Sequence, residues 1–223
     1  LVARHFGDVP ARPAPARPAF GEPDLHGERR ESYVDQLAPA PAVAVAWRAP
    51  DPVASPAAFL PYVVLAEVLT DGDASRLYER LVLRDRSVTS VGGYLGFLGE
   101  PYAVRDPTAL VLQAHLPPEG AVGAVLGAVD EELDRLAGDG LAPGELERTQ
   151  ARMAARLLRG TDAVLGRSLT MATLELLYGD PGLINEMPRL VGEVTAGQVV
   201  AAAASLRPER RASIEIVPGG QAG

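Results

Sequence analysis

The chain contains three histidines, His5, His26 and His115, and their spacing bounds the metal chemistry it could carry. A zinc-hydrolase helix sets two histidines one turn apart so that both rings reach one ion. No pair here has that spacing, and the three fall in different expected elements. His115, on an expected strand, reads as a packed or surface residue. Glu131, Glu132 and Asp134 form a carboxylate cluster, but they lie opposite an apolar helical stripe and are expected as a solvated helix face, not a cation site. Gly92-Gly93 and Gly219-Gly220 lack the spacing of a phosphate loop, and no Gly-x-Ser-x-Gly elbow supports a serine hydrolase. Cysteine is absent, which excludes disulfides, thiolate ligands and a cysteine nucleophile.

The elements that must position any site start from the stretch Leu69 to Tyr94. One helical pattern ends near Leu69, and Asp71-Gly72-Asp73 reads as a turn in which Gly72 takes a positive φ and Asp73 caps the next helix. Leu77, Leu81 and Arg84 fall at i, i+4 and i+7 with Tyr78 beside them, predicting a short amphipathic helix. Ser87 to Val91 then alternates polar and apolar residues, so a strand follows.

Before that corner, Glu28 to Gln36 and Ala42 to Arg48 read as strands around a Pro39-Ala40-Pro41 break, with Val43, Val45 and Trp47 on one face. Ser55-Pro56 starts a helix whose apolar run from Phe59 to Leu69 calls for burial despite Pro61. After the corner, strands are expected at Val88 to Leu95 and Thr108 to Leu116. The stripe Val122, Val125, Leu126, Val129, Leu133 and Leu136 predicts a helix ended by Gly138 and Gly140. Pro143 opens another, with Leu146, Met153 and Leu157 inside and Arg148, Arg152, Arg156 and Arg159 outside. Thr161-Asp162 is read as the cap of a helix carrying Leu165, Leu169, Leu174 and Leu177 to a Gly179-Asp180-Pro181 stop. Helices over Leu183 to Val191 and, after the cap-like Thr195, Ala196 to Ser205 precede a last strand, Ala212 to Val217. Hairpin-linked strands and grouped helices make this an α+β chain, an antiparallel or mixed sheet with helices packed on one face.

Bulk properties narrow the partners. With 223 residues, 47% hydrophobic, the chain can bury a real core. A net charge of −8 with no long basic run argues against nucleic acid. All basic residues outside histidine are arginine, which reads as compositional bias. No apolar run reaches the length of a membrane span, and no export signal stands at the N-terminus. The compartment stays open, with the cytoplasm favoured. Leu1 to Phe6 reads as the last turns of a helix, and Pro10 to Pro23, rich in Pro, Ala and Arg, as a linker. The expected organisation is a helix tail and linker over 1–25, a domain over 26–218 and a disordered tail over 219–223.

Ser75-Arg76-Leu77-Tyr78, the Leu81-Val82 pair and the Ser/Val strand after them resemble the second half of an M16 metallopeptidase, the family of pitrilysin, insulysin and the mitochondrial processing peptidase. The likeness extends to the Pro-rich entry after His5-Phe6-Gly7-Asp8-Val9-Pro10, the Gly27-Glu28-Arg29-Arg30 opening, the Trp47-Arg48-Ala49-Pro50 strand end and the helix-rich tail. It implies the same α+β fold. Active halves in that family carry His-x-x-Glu-His, absent here, so the resemblance implies no cofactor in this chain and zinc in an N-terminal half. Second halves can supply an Arg and a Tyr that orient substrate, but the family pattern places Val82 and Thr89 at those positions, and Arg84 and Tyr94 stand at other offsets.

The resemblance therefore implies a non-metal-binding C-terminal domain that helps shape a peptide chamber, with no hydrolysis by this chain alone. Its implied partners are the N-terminal half, a peptide substrate and a second M16 subunit supplying the Arg and Tyr. Ser75, Arg76, Tyr78, Arg84 and Tyr94 are the candidates for lining the chamber or packing between domains, with no catalytic residue assigned. The alternative is an inactive scaffold or partner subunit, like the core proteins of the respiratory cytochrome bc1 complex. A third possibility is an unrelated α+β binding domain.

Overall fold

A computed structural model describes residues 1–10, 12, 13, 15, 16, 18, 25–96 and 99–219. The Pro-rich stretch read as a linker lies largely outside these residues, as does the expected tail beyond Gly219. Gly219 itself is tied down, its N–H donating to the Asp35 carbonyl at 2.7 Å.

Among the described residues five strands form one mixed sheet: β1 (Arg29–Asp35), β2 (Ala42–Arg48), β3 (Ser90–Leu95), β4 (Ala109–His115) and β5 (Arg211–Pro218). The spatial order is β1-β5-β2-β4-β3. β1 runs parallel to β5, and the other neighbours are antiparallel. This corrects one expectation: β1 and β2 are consecutive but not a hairpin, because the last strand inserts between them. β1 is left as an edge strand, exposed along almost its whole length and opening on Arg29, Arg30 and Glu31. Charged residues at an edge discourage pairing with another chain.

The helices are α1 (Val2–Phe6), α2 (Pro56–Thr70), α3 (Val122–Asp139), α4 (Glu145–Gly160), α5 (Val164–Tyr178), α6 (Leu183–Gly192) and α7 (Ala196–Ser205). Among the described residues none is long and apolar enough to cross a membrane. Pro56 occupies the first turn of α2, where its missing N–H costs nothing. α2 is apolar nearly all round, and Phe59, Val63, Val64, Leu65, Val68 and Leu69 are all buried. Such a helix belongs at the centre. α2 packs on β3, α4 and α7, and α7 also packs on α3. The sheet face beneath them carries Val43, Val45 and Trp47, whose partners across the β2–β4 ladder are Ala114, Leu112 and Leu110. Trp47 is 1% exposed, and its indole N–H donates to the Arg207 carbonyl at 3.1 Å. The α+β reading with helices on one face is borne out, and a single apolar cluster runs from the strands into α2, α3, α4 and α7.

Local stop signals perform as read at most ends. Gly140 and Gly179 close α3 and α5 with φ of 79° and 73°, and Thr195 with Gln198 forms a reciprocal cap on α7. Three readings change. Gly138 lies inside α3, which continues to Asp139. Thr161 does not cap α5: its hydroxyl turns back and donates to the Leu157 and Leu158 carbonyls, closing α4. Only Leu174 of the α5 leucines is fully buried, while Leu165 and Leu169 stay 70% and 60% exposed. α5 sits at the rim, packed chiefly on α6, and Leu165 and Leu169 face outward.

Candidate functional site

The corner after α2 is wound differently from the reading above. Gly72 has φ +81°, as the turn requires, and the Ser75 N–H donates to its carbonyl at 3.0 Å. Asp73 makes no cap, since the next helix carries no side-chain cap bond. After one α-turn at Arg76-Leu77 the chain continues as a π-helix, Tyr78–Arg84. Its wide winding continues past the end, where the Asp85 N–H donates to the Arg80 carbonyl and the Ser87 N–H to the Leu81 carbonyl, both at 2.9 Å. Leu77 and Leu81 both reach full burial this way. π-turns are rare and concentrate where side chains must be re-aimed.

Arg76, just before the π-helix, and Arg80, within it, carry the ion pairs of this corner. Arg76 donates from Nε and Nη2 to the two oxygens of Glu145, each at 2.8 Å, from Nη2 to the Gly140 carbonyl at 3.0 Å, and from Nη1 to Glu132 at 3.3 Å. Glu145 also accepts the Ala142 N–H at 2.7 Å, and Glu132 accepts Arg135 at 2.8 Å. Arg80 bonds Asp85 and, at 2.7 Å, Glu131. The expected solvated carboxylate face fails at one of its three residues: Glu131 and Asp134 are exposed, but Glu132 is 5% exposed, paired with Arg76 beneath the corner. Hydrogen bonding to Glu145 raises the Arg76 pKa. Burial lifts the Glu145 pKa, but the bonds from Arg76 and Ala142 outweigh it and hold the carboxyl below its ordinary range.

The five candidate residues divide accordingly. Ser75 is buried with its hydroxyl unpartnered among the described residues, and Arg76 is the hub of the ion cluster. Tyr78 is half-buried, and Arg84 is exposed and, among the described residues, reaches its neighbour Asp85 at 3.2 Å. Tyr94 stands apart on β3, opposite Val111, and lines a cavity. Val82 packs against the core, while Thr89 is exposed with its N–H and hydroxyl on the His115 carbonyl. The His115 ring is exposed beside Ser90, at 3.1 Å. Among the described residues no group of three His, Cys, Asp or Glu side chains could hold a metal ion.

Sequence reasoning missed the open cavity, of about 780 Å³, lined by α2, β3, α4, α5, α6 and residues 99–103. On its α2 side Glu67 pairs with Arg156 at 2.5 Å, and Arg156 also reaches Asp71 at 3.4 Å. Burial, with the Asp71 charge adding to it, raises the Glu67 pKa against the pull of Arg156. Tyr178 donates to the Val104 carbonyl at 2.8 Å, tying α5 to the loop that follows residue 103, and burial with the nearby Asp51 charge pushes its phenol up to about 12. A signal was available: Glu67 is the one charged residue in the run from Phe59 to Leu69.

Set against known proteins, residues 1–153 match the family profile described as the peptidase M16 inactive domain. A protease from Helicobacter pylori superposes with a TM-score of 0.83 at 15% identity, covering 97% of this chain and 51% of its own. An inactive peptidase domain from Bordetella parapertussis gives 0.70 at 21% identity over 84% of this chain and 96% of its own. The peptidase M16 inactive domain from Pseudomonas fluorescens gives 0.67 at 16% identity over 93% and 48%. At these identities the superpositions show the fold. The chain spans about half the length of the Helicobacter protease. Comparison with curated proteins returned no match.

Proposed function

Because this chain belongs to the family of peptidase M16 inactive domains, we propose that it is the non-metal-binding half of a two-half zinc endopeptidase. Its role is to wall part of a peptide chamber and to steady, by packing, an N-terminal half that carries His-x-x-Glu-His and binds zinc. In that half the metal would polarise the scissile carbonyl and activate water. On this reading the domain spans 26–218, and a second M16 subunit supplies the Arg and Tyr that Val82 and Thr89 replace.

The observation that carries this reading is the sheet face turned away from the helices. There Ala42, Ala44 and Ala46 of β2 lie beside Val111 and Gln113 of β4 and Ile214 and Ile216 of β5. Ile214 is 44% exposed, and the alanines are only half-buried. Small alanines at its centre, flanked by aliphatic side chains and by the exposed Gln113 and His115, let an extended peptide, or the face of another half, approach the backbone closely. The corner supports a packing role too, because Arg76 and Arg80 are committed to ion pairs within the chain.

The test is the zinc content of the full natural gene product, purified without chelator, with its upstream sequence read alongside. One zinc per chain and a His-x-x-Glu-His motif would support the proposal. Neither zinc nor motif would leave the fold intact and make the protein a scaffold or partner subunit.

A further inference from the structure

The rim helix α5 carries an apolar seam that the described residues leave uncovered. Leu165, Leu169, Ala172 and Leu176 follow one another at intervals of four, three and four residues, the spacing that lines side chains up where two helices lie side by side. All four are exposed, the leucines by 70%, 60% and 77%. Leu158 and Val164, at the joint between α4 and α5, are exposed too and lengthen the patch. Its five large aliphatic side chains present roughly 500 Å² of apolar surface, as much as the largest patch an ordinary monomer leaves open. A dimer of standard size covers about 800 Å² on each partner, and homodimer interfaces are about two-thirds apolar. This patch with a polar rim around it meets both figures.

The order of residues along the seam selects the occupant. A twofold axis beside Thr170 and Met171 sets Leu165 opposite Leu176 of a second copy, and Leu169 opposite its Ala172, so the central leucine of each helix meets a small residue. The charges on α5 agree with that direction. Glu175 flanks the seam, and parallel copies would set the two Glu175 carboxylates side by side, whereas antiparallel copies hold them about 13 Å apart along the axis. Arg167, the other charged residue of α5, lies on the opposite side of the helix and donates to the Thr161 carbonyl at 3.0 Å. Antiparallel helices also bring the positive end of each dipole to the negative end of the other.

We infer that two copies of this protein pair through α5, antiparallel about a twofold axis at Thr170 and Met171. The contact lies in the helix layer and leaves the open sheet face of β2, β4 and β5 free.

The experiment measures the mass of the full natural gene product by sedimentation and light scattering at micromolar concentration, where a dimer is expected. Leu165→Glu and Leu176→Glu each put two carboxylates into the seam and should weaken the dimer about hundredfold. Both positions are exposed, so each variant should keep its circular-dichroism spectrum. The chain has no cysteine of its own to interfere. Oxidising a mixture of the Leu165→Cys and Leu176→Cys proteins should therefore link residues 165 and 176, read by mass spectrometry of the joined peptides. Leu165→Cys alone should link about tenfold less, its two copies standing about 16 Å apart along the axis. A monomer at tens of micromolar, or a dimer that neither glutamate variant weakens, would overturn the inference. So would a monomer that either glutamate variant unfolds, the sign of a cover from elsewhere in the same chain, or linkage of Leu165→Cys to itself as efficient as to Leu176→Cys.

Discussion

The Arg76 guanidinium meets the Glu145 carboxylate edge-on, with two parallel bonds of 2.8 Å closing a separation of 69 residues. A planar fork on a carboxylate fixes orientation as well as distance. The pair therefore fastens the turn after α2 to the first residue of α4, with Glu132 of α3 as a third anchor. Arg76→Met would leave Glu145 without its cation and Glu132 with Arg135 alone, and should cost about 3 kcal/mol in urea unfolding. Arg76→Lys keeps the charge but loses the fork and should fall between. A methionine variant as stable as the parent would remove the cluster from the account of this corner.

Glu145 and Glu67 should pull stability in opposite directions with pH. The Glu145 carboxyl is held low in the folded chain, so its contribution is present above the ordinary glutamate value of about 4.3 and lost as pH falls through the folded value. Glu67 is held high, so its contribution is present below that ordinary value and lost as pH rises through the folded one. Glu145→Gln should flatten the acid limb of a stability-versus-pH curve, and Glu67→Gln should flatten the decline on the neutral side. Unfolding by urea across the acid and neutral range reads both, and unchanged slopes would refute the two assignments.

Gly93 sets how closely α2 approaches the sheet. A Cβ there would stand 2.7 Å from Leu112 Cδ2 and 2.8 Å from Thr70 Cγ2, whereas one on Gly92 would meet nothing nearer than 3.9 Å. Gly93→Ala should lower stability by about 2 kcal/mol, since neither neighbour can yield without moving the core. Gly92→Ala should be tolerated. Equal melting temperatures for the two variants would show that the packing at Thr70 is slack.

Ile214 probes the open sheet face. As an exposed strand residue it can become Glu with little change in melting temperature, yet a charge on that face should oppose an apolar peptide or a packed half. In the full natural gene product, Ile214→Glu is expected to lower the rate of peptide hydrolysis about tenfold, an effect of about 1.4 kcal/mol on the barrier. Full activity with intact folding would move the chamber wall to another surface.

What the sequence determined by itself was set within a few residues. Alternation in Ala42 to Arg48 marks β2 to the residue, the stripe from Val122 marks α3, and Pro56, Gly140, Gly179 and Thr195 mark helix ends where steric freedom or a side-chain oxygen does the stopping. The tertiary structure decided the rest. It put β5 between β1 and β2, turned the Thr161 hydroxyl back onto α4, buried Glu132 under Arg76 and joined Glu67 to Arg156 beside a cavity. It also opened the helix after Leu77 into a π-turn. Periodicity and capping depend on a residue's near neighbours in the chain. A strand's neighbour or an ion's partner depends on which distant backbone arrives within bonding reach, and that is fixed only when the whole core closes.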